Sequence, residues 1–254
     1  MDLGLTERVF VVTGGSRGLG RAAAEVLVAE GARVVLASRD AGQLSQVATD
    51  LGGVDHAFGV PTDLADAGAE ERLVAAAMAR FGRLDGALIS GGGPPLGNVM
   101  GIDDEAWRAA FESVFLGPVR VAKAVANAIS DDGGAISFVL SSSAREPIPG
   151  LSLSNGLRPG LAGVVKDLAD ELAPRGIRVN GLLPGRINTD RTLENDTKSG
   201  RGDSARRKQE SMIPMGRYGD PIEFGTIAAF SLSAAASYLT GALIPIDGGA
   251  RRSL

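Results

Sequence analysis

The sequence predicts an α/β protein: one doubly wound, seven-stranded parallel sheet with helices on both faces, in a single domain spanning 1–254. Three observations carry that expectation. Short β-branched runs alternate with longer Ala- and Leu-rich runs along the whole chain, a glycine-rich segment follows the first of them, and no Pro/Gly/Ser linker or internal repeat divides the 254 residues. Strands that are apolar throughout, separated by helical segments, are the pattern of a parallel sheet buried on both sides.

The elements follow in order. Val9–Val12 reads as a strand and Arg21–Glu30 as a helix; Arg33–Ala37 and Leu44–Leu51 form the next pair, and His56–Val60 with Ala69–Arg80 the third. Ala87–Ile89 is a fourth strand, followed by a long helical stretch, Glu105–Ser130. Ala135–Leu140 is a strand, Leu157–Ala173 a helix, Arg178–Leu183 a strand, Ile222–Ser233 a helix and Ala242–Ile246 the last strand. Asn188–Ser211 is polar and reads as irregular, with Arg191, Lys198, Arg201, Arg206, Arg207 and Lys208 against Asp190, Glu194, Asp196, Asp203 and Glu210. A loop of that length between a strand end and a helix is expected to be a substrate lid over about 188–213, the bland alternative being a solvated surface loop.

Composition excludes several classes. A net charge of −4 gives no basic excess for nucleic acid or an anionic membrane. With no Cys and His56 as the only His, thiol chemistry, a Cys or His metal site and a Ser-His-Asp triad are all disfavoured. The start, Met1 to Arg8, lacks a signal-peptide pattern, and no apolar run approaches the roughly 18 residues of a membrane span, so a cytoplasmic protein is expected.

Thr13-Gly14-Gly15-Ser16-Arg17-Gly18-Leu19-Gly20 follows the first strand and opens a helix. Glycines there allow a sharp turn and close approach of backbone to a pyrophosphate, while the helix start presents free N–H groups and a positive dipole. At the tip of the second strand an acidic residue would bond a ribose 2′-OH and repel a 2′-phosphate; here Ser38 and Arg39 stand instead, with Arg17 in the glycine loop. Two guanidiniums can clamp a phosphate, so NADP(H) is the expected cofactor, although Asp40 follows directly.

The Thr13–Gly20 loop resembles the TGxxxGxG motif of the short-chain dehydrogenase/reductase family, whose members have a Rossmann fold, and the likeness runs from Val9 to Gly249. Asp63-Leu64 is similar to the family's acidic pair at the adenine, and Ser90-Gly91-Gly92 stands at its NNAG turn without the asparagines. Ser141 lies at the place of the family's catalytic serine. Pro184-Gly185-Arg186-Ile187-Asn188-Thr189 resembles the segment that holds the nicotinamide, and Gly241 with Asp247-Gly248-Gly249 the C-terminal strand that packs in the family's dimers and tetramers. The resemblance is nearest the 3-oxoacyl-[acyl-carrier-protein] reductase group and implies a homo-oligomer that takes a small carbonyl or acyl thioester substrate.

The family's YxxxK pair is absent. Counting from Ser141, and back from Gly176, places Ser154 where the tyrosine belongs and Arg158 where the lysine belongs; Tyr218 and Tyr238 lie elsewhere, and the family's helix asparagine falls on Val114. An aliphatic hydroxyl lacks a phenol's acidity and an arginine cannot pass on a proton. The expected arrangement is Ser141 and Ser154 hydrogen-bonded to the substrate oxygen, Arg158 supplying charge and holding the nicotinamide ribose, and water giving the proton. The reading left beside it is an impaired NADP-binding protein, a sensor or silent subunit. Trp107 reads as packing, Glu146 to Pro149 as pocket lining, Arg145-Glu146 as a restriction on substrate, and Lys123 and Lys166 as solvated.

Overall fold

A computed structural model describes residues 2–198 and 202–253. In chain order the elements are β1 Val9–Thr13, α1 Gly18–Ala29, β2 Arg33–Ser38, α2 Ala41–Asp50, β3 Ala57–Pro61, α3 Ala69–Phe81 and β4 Gly86–Ile89. Then come α4 Asp104–Phe111, α5 Gly117–Ala128, β5 Gly134–Val139, α6 Ser152–Leu172, β6 Ile177–Pro184, α7 Asp190–Lys198, α8 Gly202–Glu210, α9 Pro221–Leu232 and β7 Leu243–Ile246. The strands form one sheet in the order β3-β2-β1-β4-β5-β6-β7, every pair parallel. This is a Rossmann-type doubly wound sheet, and the order reverses between β1 and β4, which opens a crevice at the carboxyl ends of those strands.

Both faces are covered, which is why apolar residues fill consecutive strand positions such as Val9–Val12 and Val34–Ala37 rather than alternate ones. One face packs Leu73 and Ala77 of α3, Val121 and Val125 of α5 and Leu161 and Val165 of α6 on the sheet. The other packs Ala23 and Leu27 of α1, Leu44 and Val47 of α2 and Phe224 and Ala228 of α9. With so few aromatics, small side chains set the spacing: a Cβ on Gly225 of α9 would press on the Ala22 carbonyl of α1, 2.5 Å away. Among the described residues no helix is long and apolar enough to cross a membrane.

Two expectations are corrected. The polar stretch after β6 is not irregular: α7 and α8 occupy most of it, while residues 199–201, including Arg201, lie outside the described residues. These helices carry almost no apolar stripe and are held by polar contacts instead. Buried Tyr218 donates to Asp196 of α7 at 2.9 Å, Arg186 reaches the same carboxylate at 2.9 Å, and the guanidiniums of Arg186 and Arg206 lie over the Tyr218 ring at 5.6 and 4.8 Å. The stretch 105–130 is not one helix: a π-helical turn at Glu112–Leu116 separates α4 from α5. Gly91, just after β4, sits so close to that turn that a Cβ there would lie 2.6 Å from the Ser113 carbonyl.

At the amino end of the sheet Asp85 is buried and accepts from Arg83 at 2.7 and 2.8 Å, from Arg8 at 2.6 Å and from the Val9 amide at 2.8 Å. Burial pushes its pKa up, but the hydrogen bonds from Arg83, Arg8 and Val9 outweigh it, so the net shift is below the usual carboxylate range.

Candidate active site

The crevice begins at the β1–α1 junction. Gly14 and Gly18 have φ of +66° and +57°, which L side chains rarely adopt. A Cβ on Gly20 would collide with the Gly14 carbonyl, so the loop doubles back on the first turn of α1 only because that residue is glycine. Gly18, Leu19 and Gly20 open the helix, Ser16 is buried beneath the loop and Arg17 is exposed beside it. Thr13 at the end of β1 ties the loop to β4: its hydroxyl accepts from the Ser90 amide at 2.6 Å and donates to the Ser90 carbonyl at 3.0 Å.

At the end of β2 the Ser38 hydroxyl is buried without a partner, next to exposed Arg39. Asp40 does not stand against them as a counter-charge; it caps α2, accepting from the Gln43 amide at 2.9 Å. Asp63 likewise turns onto its own loop, accepting from the Ala65 amide at 3.0 Å, and the Leu64 carbonyl packs against Gly117 at the start of α5. On the far side of the crevice Gly185 packs against Asp247 and Ile187 bridges Gly219. Thr189 comes within 3.5 Å of where a Cβ on Gly18 would lie, so the segment from Pro184 closes on the glycine loop.

The reactive end lies where β5 gives way to a short turn. Ser141 starts that turn, and its Oγ accepts from the Ser143 amide at 3.1 Å. Ser143, which the sequence reading passed over, is the residue whose hydroxyl meets Ser154: the two Oγ atoms are 2.8 Å apart and both residues are buried. Helix α6 starts at Ser152, ahead of the expected Leu157, so Ser154 and Arg158 lie on one face of it. Asn155 clamps the loop before the helix, accepting from the Ile148 amide and donating to the Ile148 carbonyl, both at 2.9 Å. Trp107 packs on α6 at Gly156, where a Cβ would lie 3.0 Å from its ring; Val114 is buried.

Arg158 is the unusual residue. It is 4% exposed, donates to the Val139 carbonyl at 2.8 Å and the Gly92 carbonyl at 2.6 Å, and keeps its Nε–H unpaired. Burial first, and the charge of Arg191 second, bring its pKa down to about 10, which still leaves it charged at neutral pH. Arg191 of α7 reaches across to the Gly93 and Pro94 carbonyls at 2.7 and 2.8 Å. Its pKa is lowered by desolvation and then by Arg17, with Glu194 opposing.

Neither tyrosine replaces the missing phenol, since Tyr218 is committed to Asp196 and Tyr238 is fully exposed. Lys123 and Lys166 are exposed. Of the pair read as a restriction on substrate, Arg145 donates to the Leu243 carbonyl at 3.0 Å and Glu146 pairs with Arg251 at 2.8 Å. Among the described residues no cluster of acidic or His side chains is suited to a metal.

Residues 14–251 match the family model described as enoyl-(acyl carrier protein) reductase. Dehydrogenase/reductase SDR family member 4 of Homo sapiens is 35% identical over 96% of this chain and 88% of its own. An L-sorbose reductase from Gluconobacter frateurii, solved with NADPH and L-sorbose, is 29% identical over all of both chains with a TM-score of 0.93. A short-chain oxidoreductase of Pseudomonas aeruginosa PAO1, described as containing an atypical catalytic centre, is 29% identical over 99% of this chain and 100% of its own, with a TM-score of 0.88. The glycine crevice, the sheet order and these likenesses make one conclusion: the chain belongs to the short-chain dehydrogenase/reductase family of oxidoreductases.

Proposed function

We propose that this protein is an NADP(H)-dependent oxidoreductase that reduces a carbonyl to an alcohol, with Ser141, Ser154 and Arg158 as its catalytic residues. The observation that carries the reading is Arg158: a buried, charged guanidinium one helical turn from a buried serine pair, at the mouth of a glycine-lined crevice. A charge is left in such a place at a cost in stability, and stabilising a developing alkoxide is what it can do there. The residues also fit the dinucleotide. The doubled glycine loop leaves room for a pyrophosphate at the start of α1, and the unpartnered Ser38 hydroxyl beside Arg39 and Arg17 suits a 2′-phosphate. Asp63 and Leu64 would flank the adenine end, and Ser90, Gly91 and Gly92 with Pro184, Gly185, Ile187 and Thr189 the nicotinamide end. When bound, the reduced cofactor supplies a hydride for the carbonyl carbon.

The chain's own residues would do the rest. Ser143 orients two hydroxyls, holding Ser141 through its amide and Ser154 through its hydroxyl. Ser141 Oγ–H, which has no acceptor among the described residues, and Ser154 Oγ–H, when Ser143 donates to Ser154, would both point at the substrate oxygen. Arg158 would stabilise the charge that collects on that oxygen, and the balancing proton comes from water. α7 and α8 would form the lid. The reading nearest the 3-oxoacyl thioester reductases leaves the substrate a ketone or 3-oxoacyl thioester. The loss of the phenol favours one competing reading, nucleotide binding without turnover.

NADPH is expected to bind at least tenfold tighter than NADH, and Arg39→Ala to cut that preference by roughly tenfold, the worth of about one charge-assisted hydrogen bond. Fluorescence titration of the two reduced nucleotides reads this; equal binding by the parent would remove the clamp of Arg17 and Arg39. NADPH oxidation with a panel of ketones and thioesters separates the two readings: tight binding with no turnover of any carbonyl leaves the sensor or silent subunit.

A further inference from the structure

Three consecutive carbonyls follow β4, those of Gly92, Gly93 and Pro94, and all three accept from guanidiniums brought from other parts of the chain. Arg158 takes the first and Arg191 the next two. A Cβ on Gly93 would run into the Arg191 guanidinium carbon, so a side chain there would push this long arm off its two carbonyls. The two cations therefore meet across a single turn, and the charge of Arg17 in the glycine loop also bears on Arg191. Among the described residues no carboxylate forms an ion pair with Arg17, Arg158 or Arg191. Glu194, one turn further along α7, influences Arg191 without pairing to it.

Like charges held this close, one of them buried with an unpaired N–H, destabilise the folded chain until an anion joins them. Part of the charge already has a use: Arg17 and the start of α1 face the phosphate end of the crevice. Arg158 and Arg191 meet at the turn after β4, and Ser154 lies one helical turn before Arg158 on α6. A neutral ketone has one oxygen to be stabilised and no need of a second cation. A carboxylate beside the reacting carbonyl would engage both guanidiniums in the paired geometry that arginine favours.

We infer that Arg158 and Arg191 form an anion subsite for the substrate, so that the compound reduced carries a carboxylate next to its carbonyl. The inference rests on the carbonyl-reducing reading above, and it makes Arg191 a residue that selects the substrate by charge. It also gives α7 a role: the arginine that recognises the substrate is the one that pins this helix to the turn after β4. The same negative charge could come instead from the pyrophosphate of the cofactor, and the two sources can be told apart.

The test is calorimetry on the protein saturated with NADP+, titrated with oxamate, a small carboxylate, and with oxamide, its neutral counterpart. Oxamate is expected to bind at least tenfold tighter than oxamide. Arg191→Met should remove most of that preference, and Arg191→Lys should keep part of it, while both variants melt within a few degrees of the parent. The inference is overturned if the two compounds bind alike, or if the preference survives Arg191→Met. It is also overturned if oxamate binds the free protein but is expelled by NADP+, because the cations would then serve the pyrophosphate. Failure of NADP+ itself to bind would strike at the cofactor reading alone; the titration of the free protein would then decide the subsite.

Discussion

Arg158→Met is expected to lower kcat for carbonyl reduction by on the order of 10²–10³, the usual effect of removing one well-placed stabiliser of a developing oxyanion. The same change should leave the protein no less stable than the parent. Among the described residues no carboxylate pairs with the buried guanidinium, and replacing a buried charge with an apolar side chain of similar length is often neutral or stabilising. The two carbonyls it serves, those of Val139 and Gly92, lose a donor, which offsets part of the gain. The informative result is the pair of measurements, steady-state turnover with NADPH and thermal melting on one preparation. Turnover equal to the parent's would take Arg158 out of the chemistry, and a large fall in melting temperature would make it structural.

Asp85→Ala should act the opposite way, on the fold and not on the site. The carboxylate is buried at the amino end of the sheet, away from the crevice, and satisfies the Val9 amide and two guanidiniums. Arg8 and Arg83 are partly exposed, so solvent screens them and the loss is held to about 2–3 kcal/mol, or roughly 4–12 °C in melting temperature. The pH dependence follows from the direction of the shift. The folded pKa lies below the ordinary value of about 3.9, so the contribution is complete above that pH and is lost as pH falls through the folded value. Parent and variant should therefore differ by a constant amount from neutrality down to about pH 5 and converge in stronger acid. A difference that grew on acidification would contradict the assignment.

The fold was legible because the strands are short, mostly apolar runs and the core helices carry apolar faces, so the alternation survives errors at the boundaries. α7 and α8 were not, because the sequences Asp190–Lys198 and Gly202–Glu210 hold almost nothing apolar; their anchor is Tyr218, from outside the segment. The interruption at Glu112–Leu116 was hidden because a π turn adds a residue without changing composition. Spacing along the chain located Ser154 and Arg158 on one helical face, since a helix converts a separation of four into proximity. Spacing could not choose among three successive serines. Only the turn after β5 decides that Ser143 meets Ser154, while Ser141 accepts from the amide of Ser143. Arg191 carried no signal at all. Its partners are backbone carbonyls 97 and 98 residues away, and no residue type marks a carbonyl that will be needed.

The neighbouring position of β1 and β4 has a consequence for synthesis. As the chain leaves the ribosome, β1, β2 and β3 can pair among themselves, since their registers involve only residues up to 61. The other edge of β1 stays open until Gly86–Leu88 arrives, and β4 in turn waits for β5. The nascent protein therefore grows its sheet in one direction, always presenting a fresh apolar strand with unpaired amides, the kind of edge that invites joining with another chain. The β6 edge in turn stays open until Leu243–Ile246 docks as β7.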